Sequence, residues 1–77
     1  MNLKVIAPDK TLFLGEVQSV KLPGTVGQFM VLERHAPLVS TLCAGEIIYR
    51  VNGKEERLRI EGGVVEVRNN QVVVCIN

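Results

Sequence analysis

Two turns that contain asparagine constrain the fold of this chain more than any other feature. Each turn lies between two segments in which apolar and polar residues alternate. Asn52-Gly53 is a strong β-hairpin signal, because both residues tolerate the positive φ angles of a two-residue turn. With this turn, Arg50 lies opposite Glu55 on one face. Glu46 then lies opposite Arg59 on the same face, so opposite charges pair without any adjustment of the register. The other face of this predicted hairpin pairs Ile47 with Leu58 and Tyr49 with Glu56.

A second hairpin is predicted to close at Asn69-Asn70, since asparagine tolerates the left-handed region that tight turns use. This turn gives two cross-strand pairs of valines on one side of the hairpin, and we take that side as the core face. These pairs are Val67 with Val72 and Val65 with Val74.

The opposite side of this second hairpin, where solvent would normally be, is also apolar. Val64, Val73 and Cys75 lie there together with Glu66. Strands that are buried on both faces have this composition. We therefore expect that a second chain, or the other sheet, covers this side.

The rest of the chain predicts further short strands separated by turns. The alternation between Leu12 and Leu22 changes phase near Gly15-Glu16, which indicates a β-bulge. No segment has the period of a helix, and β-branched residues dominate. Residues 1–77 are therefore predicted to form one all-β domain, a sandwich or barrel of about eight short strands without helices. The other predicted strands are Leu3 to Ala7, Gln28 to Leu32 and Leu38 to Leu42.

Composition limits the functions that such a small domain can have. Of the 77 residues, 47% are hydrophobic and 4% aromatic. This is more aliphatic surface than so small a core can bury, which predicts an exposed patch for another chain, although scattered surface valines would give the same composition. The net charge is +1, without a basic stripe, which argues against nucleic-acid binding. No apolar run is long enough to cross a membrane, so we expect no direct membrane insertion.

Few residues could carry chemistry. Cys43 and Cys75 are not spaced like zinc ligands, and the single His35 cannot complete a tetrahedral metal site. We expect both cysteines to be small buried or half-buried hydrophobic residues, although a disulfide between them is an open alternative. His35 could act as a general base, and Ser40 or Cys43 as a nucleophile, but no third group is placed to orient the histidine. The chain is therefore predicted to have no catalytic residues, no metal site and no cofactor.

One continuous stretch carries a family resemblance. Leu22–Phe29 reads LPGTVGQF, and HAPL follows at His35–Leu38. Together they closely resemble the LPGTEGEFGIL-x-x-HAPL signature of the epsilon subunit of rotary F-type ATP synthases. Further matches are Phe13–Val17 (family F-x-G-x-V), Gly62–Val67 (family SGGFLEV) and the last strand at Val72–Val74. The resemblance covers essentially the whole chain, with its motifs in order.

The resemblance implies the N-terminal domain of epsilon, a two-sheet antiparallel β-sandwich of about ten short strands. It implies a non-catalytic central-stalk subunit of a proton-translocating F-type ATP synthase, peripheral on the cytoplasmic side of the bacterial inner (plasma) membrane. Such a subunit binds the gamma subunit and the c-subunit ring and couples rotation to ATP synthesis. The family positions imply a c-ring contact at Val26, Gly27, Gln28 and Phe29. For the gamma-subunit contact they imply His35 and Ser40, to which we add Val64, Val73 and Cys75.

Two departures from the family pattern change what is expected. The family usually has glutamate at the positions of Val26 and Gln28, so this loop is less acidic. We therefore expect a ring contact made by hydrogen bonds and apolar contacts rather than by ion pairs. Most bacterial and chloroplast members also continue into two C-terminal helices that can block ATP hydrolysis, whereas this sequence stops at Asn77. We expect a natural short form that couples rotation but lacks the helical tail for inhibition of hydrolysis.

The alternative is a stand-alone β-sandwich module that recognises a peptide or a glycan through the loop-rich stretch between Leu22 and Gly45. Glycan sites usually present exposed aromatic side chains, and the chain offers only Phe13, Phe29 and Tyr49. Co-purification distinguishes the two functions. A stalk subunit brings down gamma, whereas a recognition module behaves as a monomer with a small ligand.

Overall fold

The computed structural model describes residues 1–77, and all of its regular structure is β-strand. This confirms the all-β prediction. Nine strands follow one another along the chain. Their bounds are β1 Asn2–Ala7, β2 Lys10–Glu16, β3 Ser19–Gly24, β4 Gly27–Val31, β5 Leu38–Leu42, β6 Gly45–Val51, β7 Lys54–Ile60, β8 Gly63–Arg68 and β9 Gln71–Ile76.

The strands form two packed layers that are joined along one seam. The first layer has the strand order β4-β3-β6-β7, and the second has the order β5-β8-β9-β1-β2. The layers meet at the seam, where Gly24 of β3 pairs with Leu42 of β5. All neighbouring strands are antiparallel except β1 and β9, which run parallel. The predicted two-sheet sandwich is therefore confirmed, with one parallel pair that turn signals cannot reveal, because a tight turn joins only antiparallel neighbours.

The core lies between the two layers and is built from aliphatic side chains. Fourteen buried hydrophobic residues form one cluster, and no polar or charged residue is buried. Val and Ile suit this position because their stiff, branched side chains pack well on a pleated surface. The predicted core face of the second hairpin is confirmed, since its residues pair in the predicted register and are at most 2% exposed. These residues are Val65, Val67, Val72 and Val74.

The first hairpin, β6–β7, also has its predicted register. It is closed by Asn52 and Gly53, both at positive φ. Arg50 lies opposite Glu55 as predicted, with 3.9 Å between Nη2 and Oε1. Local turn chemistry and charge pairing were therefore sufficient to set this register.

One ion pair of this hairpin differs from the prediction. Glu46 lies opposite Arg59, but its carboxylate binds the guanidinium of Arg57 at 2.9 Å. Arg57 is a diagonal neighbour on the same face, within reach of a long side chain. Arg57 also binds Glu55 at 2.7 Å, and its hydrogen bonds to Glu46 and then Glu55 raise the pKa of its guanidinium. Because these groups are exposed, the network adds little stability.

The predicted bulge near Gly15-Glu16 is wrong. Strand β2 ends at Glu16, and β3 begins at Ser19, so the change of phase marks a break between two strands. The irregular register lies elsewhere in the β1–β2 ladder, between Val5 and Ile6, where Leu12 is an extra residue of β2. A strand break and a bulge change the phase of alternation in the same way, and the sequence does not distinguish them.

The predicted burial of the two cysteines is also wrong. Both are exposed free thiols, so the alternative of a disulfide between them is not found either. Cys43 follows β5 at the seam, and its thiol donates a weak hydrogen bond to the carbonyl oxygen of Pro23 at 3.4 Å. Cys75 lies on the outer side of β9, because the first layer packs only on the side of that strand that carries Val74.

Gly63 allows β8 to approach β9 more closely than a side chain would permit. A Cβ atom at this position would lie 2.4 Å from the carbonyl oxygen of Cys75 and 3.0 Å from the Cα of Ile76. Both are backbone atoms of a central ladder, so they can move only if the pairing opens. Gly53 offers a contrast: both glycines have a positive φ, +156° at Gly63 and +79° at Gly53, but the space around Gly53 is open.

Replacing Gly63 with alanine is expected to destabilise the fold by about 3 kcal/mol or more, because the β8–β9 ladder must open. Gly53→Ala is the matched control, with an expected loss of about 1–2 kcal/mol from its left-handed backbone alone. Urea unfolding followed by circular dichroism measures both. Equal losses for the two variants would contradict the steric explanation.

The amino terminus of the chain is tied to the end of the sandwich. The Met1 side chain is buried, and its α-ammonium group donates hydrogen bonds to the carboxylates of Glu16 and Glu33. Glu33 also accepts a hydrogen bond from Nδ2 of Asn70 at 2.8 Å. The hydrogen bond to Glu33 is the main cause that raises the pKa of the α-amine above its ordinary value of 8.0. The same hydrogen bond lowers the pKa of Glu33 below its ordinary value of 4.5.

We expect the contribution of this contact to stability to be greatest between about pH 4.5 and pH 8.0. The pKa of the amine is raised in the fold, so its contribution is full below pH 8.0 and is lost as the pH rises through the folded pKa. The pKa of Glu33 is lowered, so its contribution is full above pH 4.5 and is lost as the pH falls. Thermal melts that extend below pH 4.5 and above pH 8.0 should show both losses, and Glu33→Gln should reduce both. A profile that this substitution leaves unchanged would show that the contact does not stabilise the fold.

Candidate functional site

Three of the predicted ring-contact residues lie at one end of the sandwich, at a feature we call the hairpin tip, Thr25–Gln28. A two-residue turn, Thr25-Val26, connects β3 to β4. Val26 is fully exposed, and Gly27 and Gln28 are exposed beside it. An uncharged, fully exposed valine at the end of a hairpin is available for an apolar contact.

Phe29, the fourth predicted ring-contact residue, lies differently. It pairs with buried Leu22 on the inner side of β4, and its ring packs against the core. The ring needs the space at Gly24, where a Cβ atom would lie 2.9 Å from the ring and 2.7 Å from the carbonyl oxygen of Gly27. Phe29 therefore supports the hairpin tip from beneath rather than presenting itself at the surface.

The hairpin tip is braced against β5 by hydrogen bonds across the seam. The backbone N–H of Thr25 donates to the carbonyl oxygen of Thr41 at 3.1 Å, and the two threonine hydroxyls lie 2.8 Å apart. The backbone N–H of Cys43 donates to the carbonyl oxygen of Pro23 at 2.9 Å. The turn is therefore held by the second layer as well as by its own hairpin.

His35 lies in the loop of residues 32–37, at the opposite end of the sandwich from the hairpin tip, because β4 runs from one end to the other. The histidine is half-buried, and its Nδ1 lies 2.7 Å from the carbonyl oxygen of Ala36. The backbone N–H of Arg34 donates to Oδ1 of Asn70 at 2.9 Å, which ties the loop to the β8–β9 turn. This loop presents a fixed surface rather than a free end.

The candidate nucleophiles and base are not brought together. Ser40 lies on the inner side of β5, opposite buried Val65, and its hydroxyl donates to the carbonyl oxygen of Thr41 at 3.0 Å. His35 binds a backbone carbonyl of its own loop, and Cys43 lies at the far end of β5. No group of three or more His, Cys, Asp or Glu side chains is placed to hold a metal ion. The chain contains no helix with the length and hydropathy of a membrane span.

The outer side of the second layer, which we call the outer face, is mostly apolar at its centre. Strand register arranges its side chains in rows that cross the strands, and Val64, Val73 and Cys75 lie at its centre as predicted. Two of the rows are mostly apolar, and a third row, at the start of β1, is polar: Arg68, Gln71, Asn2 and Glu16. No part of this chain covers the outer face, so the alternative that the other sheet covers this side is wrong. The first row reads Val39, Glu66, Val73, Lys4 and Leu14, and the second reads Thr41, Val64, Cys75 and Ile6.

Sequence reasoning found only the part of the outer face that the second hairpin contributes. Ile6, Leu14 and Val39 join it through pairings between strands that are far apart in the sequence. Leu14 is 63% exposed and Val39 is 71% exposed, which makes them the most exposed large hydrophobic residues after Val26. The sequence predicted a strand from Leu3 to Ala7, but the alternation within this strand does not indicate which strand lies beside it.

The outer side of the first layer is charged instead. It carries the Arg57 network with Glu46 and Glu55, together with a shallow depression of about 220 Å³ lined in part by Lys21 and Arg50. Water solvates such groups well, so this side has little to gain from an apolar partner. The contrast between the two sides identifies the outer face as the candidate interface.

The three aromatic rings that a glycan site would present are turned inward. Phe13, Phe29 and Tyr49 all pack against the core, and the rings of Phe13 and Tyr49 lie 4.5 Å apart between centroids. Burial, and to a lesser extent the charge of Glu56, raises the pKa of the Tyr49 phenol. These rings complete the edge of the core and do not form a binding platform.

Sequence comparison places these features in a known family. The family described as ATP synthase, Delta/Epsilon chain, beta-sandwich domain, matches residues 1–77. The ATP synthase epsilon chain of Leptospira borgpetersenii serovar Hardjo-bovis is 43% identical over 74 residues, which are 96% of this chain and 58% of the relative. The chloroplastic epsilon chain of Porphyra purpurea is 36% identical over 77 residues, which are 100% of this chain and 58% of the relative. The chain thus spans less than two thirds of the length of these relatives.

Solved structures contain the same fold. A chain of the Euglena gracilis mitochondrial ATP synthase (OSCP/F1/c-ring in rotational state 1) superposes with a TM-score of 0.90 at 23% identity, over 96% of this chain and 48% of that one. A chain of the Tetrahymena thermophila mitochondrial ATP synthase (central stalk/c-ring) gives 0.82 at 13% identity, over 97% and 61%. Because the family match extends from the first residue to the last, this chain belongs to the delta/epsilon family of ATP synthase subunits, as its β-sandwich domain.

Proposed function

We propose that this chain is the β-sandwich part of a non-catalytic central-stalk subunit of a proton-translocating F-type ATP synthase, where it helps to couple rotation to ATP synthesis. The family match over all 77 residues carries this proposal. The curated relatives are ATP synthase epsilon chains, and the two solved structures are described as F1/c-ring and central-stalk assemblies. In a bacterium the subunit would lie peripherally on the cytoplasmic side of the plasma membrane.

In this proposal the gamma subunit covers the outer face around Val64, Val73 and Cys75. The exposed aliphatic side chains of that face support a lasting contact, because the buried centres of stable interfaces are apolar. The loop of His35 borders the start of β5 and extends the contact toward that end of the sandwich. Ser40 would contribute only at the strand edge, since its side chain lies on the inner side of β5.

The hairpin tip contacts the c-subunit ring in the same proposal. Its exposed side chains carry no charge, and its backbone is braced across the seam, which suits a firm contact with a loop of the ring. These 77 residues include no helix that could extend toward a catalytic head. We infer that these residues alone do not inhibit ATP hydrolysis.

Binding to purified gamma subunit tests the proposal directly. Val64→Glu is expected to weaken binding at least about tenfold, because it places a charge at the centre of an apolar contact. Val26→Glu is the matched control, since it makes the same change at the hairpin tip and should leave gamma binding unchanged. Isothermal titration measures both affinities. A wild-type chain that does not bind gamma, or equal losses for the two variants, would overturn the proposed gamma contact.

The ring contact is expected to depend only weakly on salt, because Val26 and Gln28 replace two acidic side chains. Between low and physiological ionic strength, the affinity for detergent-solubilised c-ring should change by less than about threefold. The double substitution Val26→Glu and Gln28→Glu should make the salt dependence steeper if the ring loop is basic. A steep dependence in the unsubstituted chain would contradict an uncharged contact.

A further inference from the structure

The outer face is complementary to itself. Strand β9 runs along its middle, with β8 on one side and β1 on the other. In the first row, Val73 of β9 lies between Glu66 of β8 and Lys4 of β1. Neighbouring strands are about 4.8 Å apart, so the acid and the base are equally distant from the central strand.

We propose that this face binds a second copy of the chain when no other partner covers it. A two-fold axis parallel to β9, midway between the facing sheets, sets β8 of each copy against β1 of the other. Glu66 of each copy then faces Lys4 of the other copy, which gives two ion pairs. Val73 and Cys75 lie on the axis and face their own counterparts.

The second row, and the two residues at the ends of the first row, fit the same arrangement. Val64 faces Ile6 of the other copy, and Val39 faces Leu14, so apolar side chains meet apolar side chains. An axis perpendicular to the strands would instead set Glu66 against Glu66 and Lys4 against Lys4. Like charges opposite each other are unfavourable, so the two charges select the axis that is parallel to β9.

The size of the face sets the strength of this pairing. Five strands about 4.8 Å apart, each about 18 Å long, give a face of roughly 450 Å² per copy. Two copies bury roughly 900 Å², well below the ~1,600 Å² of a standard stable interface. We therefore expect a weak dimer with a dissociation constant of about 10–100 μM, which a larger permanent contact would displace.

Sedimentation equilibrium of the 77-residue chain tests the pairing. The unsubstituted chain should pass from monomer to dimer with a midpoint in that concentration range. Lys4→Glu replaces each of the two ion pairs with two facing carboxylates and should weaken the dimer at least about tenfold. Lys4→Glu combined with Glu66→Lys should restore the dimer. Lys54→Glu makes the same charge change at the exposed start of β7 and should have no effect. Circular dichroism melts check that each variant is folded.

Cys75 provides an independent measurement. In a Cys43→Ser chain, a short bismaleimide should cross-link two copies through Cys75, because these thiols face each other near the axis. In a Cys75→Ser chain, only Cys43 remains, at the seam and outside the outer face, and cross-linking should fall to background.

Three results would overturn the pairing: a chain that stays monomeric at about 1 mM, a dimer that Lys4→Glu does not weaken, or no cross-link through Cys75. Gamma binding by the same chain separates this inference from the proposed function. A chain that binds gamma but never pairs with itself contradicts the self-pairing alone. A chain that pairs with itself but never binds gamma contradicts the proposed function alone.

Discussion

The parallel pairing of β1 with β9 is the interaction on which the rest of the structure depends. It joins the first strand to the last over five residue pairs, from Asn2 with Gln71 to Ile6 with Cys75. On its inner side it brings Leu3 and Val5 beside the valines of β9, and on its outer side it completes the apolar rows. Without it the second layer would separate into a two-stranded ribbon and a three-stranded sheet, and the isolated ribbon, which carries Leu3 and Val5, would be only marginally stable.

The two outer sides of the sandwich differ in how well water solvates their side chains. Arginine and glutamate side chains on the first layer pair with one another and with water, so that side is stable when exposed. On the second layer, Leu14 and Val39 remain mostly in water. Fully burying such a side chain contributes about 1.5–3 kcal/mol, so a partner that covers this face recovers free energy that the isolated domain does not have.

Local chemistry made part of this fold predictable. The Asn52-Gly53 turn and the charge pairs beside it set the register of β6–β7, and the second hairpin followed in the same way, because all of its determinants lie within a few residues. The exposure of Cys75, the extra residue Leu12 and the place of Ile6 in the outer face depend on strands that are distant in sequence, and alternation alone does not identify a distant neighbour. The separation of His35 from the hairpin tip likewise follows from the direction of β4, which a motif does not record.

The threonine contact at the seam has a mechanical consequence. A two-residue turn that projects alone bends under a lateral load, since only one pair of strands resists it. Here Thr25 is joined to Thr41 through both backbone and hydroxyl groups, and the ladder between β5 and β8 distributes any force over the second layer. A lateral force on Val26 is therefore transmitted to the whole sandwich, which moves as a rigid body instead of bending at the turn.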